Sequence, residues 1–135
     1  MKEEEKNNLF ITFQQTIESI IKDKKKNSKN DKLLENFNAK INLGLQIDED
    51  EYFWLNLLAE KGNYSLNKGK LEEFDLELKA CAEDLLFFSN GENSILNMMM
   101  KKNTYGNRKL TFSKSSAGKR NLGKLLKLSK ILVLD

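Results

Sequence analysis

With 135 residues, 39% of them apolar and 32% charged, the chain has room for one folded domain that buries roughly two-thirds of its unfolded surface, and it is not composed like a disordered segment. It contains no histidine, which excludes Ser–His and Cys–His nucleophile pairs and His-ligated zinc, and its one cysteine, Cys81, excludes an internal disulfide. The net charge of +3 is carried by lysine, with arginine only at Arg108 and Arg120, so the forked donors that read bases and phosphates are scarce and nucleic acid is not an expected partner.

In chain order, Lys6 to Lys24 is predicted as an amphipathic helix: Leu9, Phe10, Phe13, Ile17, Ile20 and Ile21 follow the three-and-four spacing of one apolar stripe. The Lys- and Asn-rich run from Lys22 to Lys32 is predicted as a solvated loop, with residues 1–6 and 23–32 flexible. Leu33, Leu34 and Phe37 form a last helical turn or a lead-in to a sheet. From Lys40 the period drops to two. Ile41, Leu43, Leu45 and Ile47 alternate with Asn42, Gly44, Gln46 and Asp48, which is a half-buried strand. Asp48 to Glu51 reads as an acidic hairpin tip; it lacks the glycine and distal glutamate of a calcium-binding loop. Tyr52 to Glu60 and a short run around Tyr64 and Leu66 complete a three-strand meander.

The stretch from Phe74 to Met100 holds the greatest concentration of apolar side chains. Phe74, Leu76, Leu78 and Ala80 give a fourth strand, and at Ala82 the pattern turns helical, with Glu83 and Asp84 in the first turn where the helix dipole favours them. Gly91 is expected to cap that helix, and Ser94 to start a second short one running to Met100. Lys101 to Arg108 is a polar loop, Lys109 to Ser113 a fifth strand. The last helix starts at Ser115, Ser116 or Asn121, its broad apolar face made by Leu122, Leu125, Leu126, Leu128, Ile131, Leu132 and Leu134 against a lysine-rich remainder. The expected class is α+β: a mainly antiparallel sheet of about five strands covered by helices, in one domain spanning 1–135.

This order of elements resembles the sterol carrier protein type 2 family. The likeness is carried by Asp75 in the fourth strand, by Asp84-Leu85-Leu86 and Gly91 at the two ends of the first short helix, by Ile95 to Met100, and by Lys109-Leu110-Thr111-Phe112. The chain departs from the family in having no proline, a longer 101–108 loop, and Lys114-Ser115-Ser116 where Gly and Asn or Asp are expected. The resemblance implies an apolar tunnel between sheet and helices that takes a fatty acyl, sterol or isoprenoid tail, with no catalytic residue and no cofactor. Tail contacts would come from Leu85, Phe88, Ile95, Met98 and Met99 on the central helices, and from Phe112, Leu122, Leu125 and Leu126 beyond them. Lys119, Arg120, Lys124 and Lys127 would meet an anionic headgroup or membrane, or simply solvent.

A second reading gives the same groove to an amphipathic partner helix, or makes the last helix a homodimer contact through Leu128, Ile131 and Leu134. An enzyme would have to work with Asp75 or Asp84, and strand and helix-start chemistry already accounts for both. The unpaired Cys81, the acidic start Met1-Lys2-Glu3-Glu4-Glu5, an end unlike Ser-Lys-Leu, and the lack of roughly 18 consecutive apolar residues make the cytoplasm the expected compartment.

Overall fold

The computed structural model describes residues 1–88 and 94–133, with 86–88 as backbone only. Helix α1 (Glu3–Lys25) leads through a 3₁₀ turn (Ser28–Asn30) into α2 (Asp31–Asn36). Strands β1 (Ala39–Gln46), β2 (Tyr52–Glu60), β3 (Asn63–Lys68) and β4 (Leu76–Cys81) follow, then α3 (Ala82–Phe88), α4 (Ile95–Met100), β5 (Leu110–Ser113) and α5 (Leu122–Leu132). The sheet has the order β3-β2-β1-β4-β5. Three of its pairings are antiparallel, and β1 runs parallel to β4 at its centre.

Register makes the core. Leu43 lies opposite Leu55 on one side and Leu78 on the other, and Leu78 in turn faces Phe112. Ile41 is likewise flanked by Leu57 and Leu76, and Leu66 extends that row onto β3. Because side chains alternate along a strand, these in-step rows put every large aliphatic residue of β1, β2 and β4 except Leu58 on one face. Phe13, Ile17 and Ile21 of α1, Leu34 of α2, and Leu125, Leu128 and Ile131 of α5 close over that face. The acidic first turn and the basic last turn of α1 both suit its dipole.

The opposite face carries the polar alternates, and a loop shields them. Asn42, fully buried, exchanges hydrogen bonds with both backbone groups of Leu71 (3.0 and 2.8 Å), and Asn56 Nδ2 donates to Gly69 O (3.0 Å). Trp54 lies flat over Gly44, where a Cβ would come within 2.9 Å of the indole, and Lys70 covers the ring at 4.3 Å while pairing with Glu77 at 3.2 Å.

Two expectations need correction. The run 22–32 is not a loop. Helix α1 continues to Lys25, Asn27 then caps the 3₁₀ turn by accepting from Lys29 N, and Asn30 Nδ2 donates to Lys24 O (3.0 Å), so Lys24 and Asn30 are buried. A polar run reads as solvated, but here its asparagines satisfy the chain's own backbone. The first helix likewise starts at Glu3, ahead of the Lys6 expected. The α4 start at Ser94, whose hydroxyl accepts from Asn97 N (3.1 Å), agrees with expectation. The Gly91 cap and Leu134 lie outside the described residues.

Candidate functional site

Helix α1 lies against β3, α3 against β4 and α4 against β5, with α5 between the two groups of helices. Helix α5 packs on α1 and α2, and between α5 and the α3–α4 pair lies an apolar cavity of about 20 Å³. Leu78 and Leu110 form its floor, Leu85, Ile95 and Met98 one wall, and Leu125, Leu128, Ser129 and Leu132 the other. The one hydroxyl in this lining, that of Ser129, donates to Leu126 O (2.6 Å) and so has no proton left to give a ligand. This volume holds about one water-sized probe.

Of the residues expected to touch a tail, Leu85, Ile95, Met98 and Leu125 meet at this cavity. Met99 and Phe112 pack against the core beside it, with the Arg120 guanidinium 4.5 Å from the Phe112 ring centre. Leu122 and Leu126 do not line it: they are 49% and 44% exposed. The apolar positions of α5 span more of its circumference than one packing face can bury, and the stripe through Leu125, Leu128 and Ile131 is the one that docks. The side chain of Phe88 lies outside the described residues. Leu78, Leu110, Leu128, Ser129 and Leu132 also line the cavity, and the sequence does not single them out as tail contacts. Strand alternation for Leu78 and Leu110, and the three-to-four spacing from Leu125 to Leu128 and Leu132, are the signals that could have found them.

The N-terminal end of α5 is tied to the start of β4 by polar contacts. Asp75 Oδ2 accepts from Lys40 N (2.8 Å) and pairs with Lys124 (3.4 Å), while Asp75 O accepts from Asn121 Nδ2 (2.7 Å). Ser116 adds bonds to both backbone groups of Phe74. Lys119 and Lys124 therefore border an open polar cleft that also contains Glu72, Glu73 and Asp75, and Lys124 is already paired. Lys127 is exposed on α5.

The far end of the sheet is polar and closed. Gln46 accepts from Asn103 (2.9 Å) and donates to Asn107 Oδ1 (3.2 Å) beside Cys81. Burial, then the Asp84 and Glu83 carboxylates, push the Cys81 thiol above its ordinary pKa, which keeps it protonated and unreactive at neutral pH. Asp84 itself pairs with Lys109 (3.6 Å). Among the described residues no cluster of three His, Cys, Asp or Glu could hold a metal ion, and no helix is long and apolar enough to cross a membrane.

No protein-family model matches this sequence, and no curated protein matches it by sequence. Solved structures do match. The sterol carrier protein domain 2 of Helicoverpa armigera superposes with a TM-score of 0.61 at 13% identity, over 87% of this chain and 83% of that one. Sterol carrier protein 2 of Yarrowia lipolytica, in its apo form, gives 0.59 at 16% identity over 89% and 86%. The chain has the sterol carrier protein 2 fold. A crystal structure of another sterol carrier protein 2 agrees at 0.53 and 12% identity, over 88% and 94% of the two chains. The resemblance read from Asp75, Asp84 and the 109–112 strand thus holds at the level of architecture, including the α+β class and a mixed sheet that is mostly antiparallel. Within this sterol carrier protein 2 fold, the cavity occupies the seam between the terminal helix and the two short central ones.

Proposed function

We propose that this chain binds the apolar tail of a lipid, fatty acyl, sterol or isoprenoid, along the seam between α5 and the α3–α4 pair, without catalysing a reaction on it. The observation that carries the reading is the seam itself, whose walls come from five separate elements and offer no free side-chain donor. Its occurrence in the fold of named sterol carrier proteins supports the same reading.

At about 20 Å³ the cavity must widen to admit a tail. Burying a twelve-carbon chain contributes roughly 10 kcal/mol at about 0.8 per methylene, before ordering costs, which is ample to separate helices that share few contacts. Helix α4 is the element to move, because it has only six residues, held by one side-chain bond at each end (Ser94 accepting from Asn97 N, Arg108 donating to Met100 O), whereas α5 rests on α1 and α2 and is tied to β4 at its N-terminal end. Met98 and Met99 make a wall that adapts to tails of different shape. In the widened state the seam is the tunnel.

The test is to extract purified protein and analyse the extract for lipids by mass spectrometry, and to titrate the lipid-free protein with a fluorescent acyl probe. Saturable probe binding that a fatty acid or sterol displaces is the expected result. A lipid-free preparation that ignores the probe overturns the reading.

A further inference from the structure

Charge is sharply segregated along this sequence. Residues 94–133 carry ten Lys and Arg and no Asp or Glu, while the remainder carries thirteen against twenty. The mild net charge of +3 therefore hides a strongly basic region and an acidic one. The basic region comprises α4, β5 and α5, the elements that frame two sides of the seam. Lys109 and Lys124 reach carboxylates across the fold; Lys101, Lys102, Lys119, Lys127 and Lys130 are exposed and meet no acidic partner among the described residues.

The same elements hold the large exposed aliphatic side chains of this region. Leu96 and Met100 on α4 are 67% and 72% exposed, and Leu122 and Leu126 on α5 about half. On the helix surface Leu126 neighbours Leu122 and Ser129 at i−4 and i+3, so this exposed pair borders the seam wall. By contrast, α1 is the longer helix but mixes Glu3, Glu4, Glu5, Glu18 and Asp23 with its lysines.

We propose that the α4–α5 face docks on an anionic phospholipid bilayer, its lysines against the headgroups and its four apolar side chains at the acyl boundary. Lysine attracts anionic headgroups as a point charge, and protruding Leu and Met add the apolar burial that an interfacial helix uses. A nucleic acid would instead call for arginine forks or a row of stacked aromatic rings, and this segment has two arginines, a half-buried Phe112 under one of them, and a single exposed ring, Tyr105. The inference deepens the lipid-tail reading by naming the surface that delivers the tail, and rests on it in that respect; the docking itself is measured without any tail.

The experiment is flotation of the lipid-free chain with vesicles of phosphatidylcholine alone and of equal parts phosphatidylcholine and phosphatidylserine, at low and high salt. Binding to the anionic vesicles only, weakening with salt, is expected. The double variant Lys127→Glu, Lys130→Glu should lose at least about thirty-fold, as two lysines at an anionic surface supply about that factor, and the control Lys32→Glu should bind as the parent does. Leu122→Ser with Leu126→Ser should weaken binding about ten-fold and leave its salt dependence unchanged; both sites are exposed, so folding is retained. Equal binding to neutral vesicles, indifference to the 127/130 pair, a preference for single-stranded RNA with the same salt dependence, or a dimer that covers Leu122 and Leu126 overturns the proposal. Flotation without probe uptake overturns the tail reading alone, and uptake without flotation overturns the docking alone.

Discussion

One sheet face is covered by two unlike roofs. Over β1 to β3, α1 and α2 press Phe13, Ile17, Ile21, Leu34 and Phe37 onto rows of Leu and Ile, and Tyr64 stacks on Phe37 with its hydroxyl donating to Leu34 O (2.9 Å). Over β4 and β5, two helices of six and seven residues meet α5 across an apolar gap, with Met where the other half has Phe. The first roof is built mainly of Phe and Ile, rings and β-branched stems with few rotamers, laid on the leucines of the sheet. The second uses Leu and Met, whose flexible stems fill irregular space and repack readily. Rigidity and adaptability are thus assigned to opposite ends of one core.

The comparison is broken most severely by deleting bulk from the packed roof. Phe37 is 2% exposed, and Phe37→Ala should cost about 3–5 kcal/mol, the usual range for a buried Phe. Urea unfolding should register the loss while the probe affinity of the remaining folded protein stays unchanged. Adding bulk sharpens the contrast. Leu57→Phe, in the packed half at 1% exposure, should cost about 1–3 kcal/mol and leave probe binding alone. Leu125→Phe finds some of its room in the gap, so its stability cost should fall at the low end of that range, near about 1 kcal/mol, while probe affinity drops at least about ten-fold. Equal effects of the two substitutions on probe binding would mean the halves do not differ in function.

A pH titration separates the halves by another route. Burial raises the Tyr64 hydroxyl to about 12 from an ordinary 10. Between those values the unfolded chain has released this proton and the folded chain has not, so Tyr64 makes stability fall as pH rises from 10 towards 12, having contributed no slope below. Tyr64→Phe should cost about 1 kcal/mol at neutral pH through the lost hydrogen bond, and its alkaline decline should be shallower than that of the parent. An unchanged slope would mean the hydroxyl is not held in the α1–α2 roof.

The two halves are also unequally legible in the sequence. Strict alternation in Ile41–Leu43–Leu45 and three-to-four spacing in Phe13–Ile17–Ile21 announce the packed half, because a residue with one buried face repeats at the period of its element. Sheet order is less direct: that β4 inserts beside β1, parallel to it, depends on pairings across more than thirty residues that no local pattern encodes. In the adaptable half the apolar residues are visible but their division is not. Leu122, Leu125, Leu126 and Leu128 look alike in sequence, and only the docking of α5 on α1 and α2 decides that Leu125 and Leu128 turn inward and Leu122 and Leu126 outward. Asn30, Asn42 and Gln46 look like surface residues in the sequence, since a buried amide differs from a solvated one solely in the backbone or side-chain partner folding brings to it.

The finest test asks which wall of the seam gives way. Ser94→Ala removes the hydroxyl that accepts from Asn97 N at the start of α4, and an N-cap of this kind is worth about 1 kcal/mol. Asp75→Asn keeps an oxygen for Lys40 N but loses the pair with Lys124, whose partners are both more than a third exposed, so about 0.5 kcal/mol or less is at stake. If α4 is the moving wall, stopped-flow mixing with the acyl probe should be several-fold faster in Ser94→Ala and unchanged in Asp75→Asn. The reverse pattern would make α5, released from its polar tie at Asp75, the element that lifts. The site would then open beside Asn121, towards the polar cleft that Lys119 borders, and the rigid roof would share in the motion because α5 rests on it.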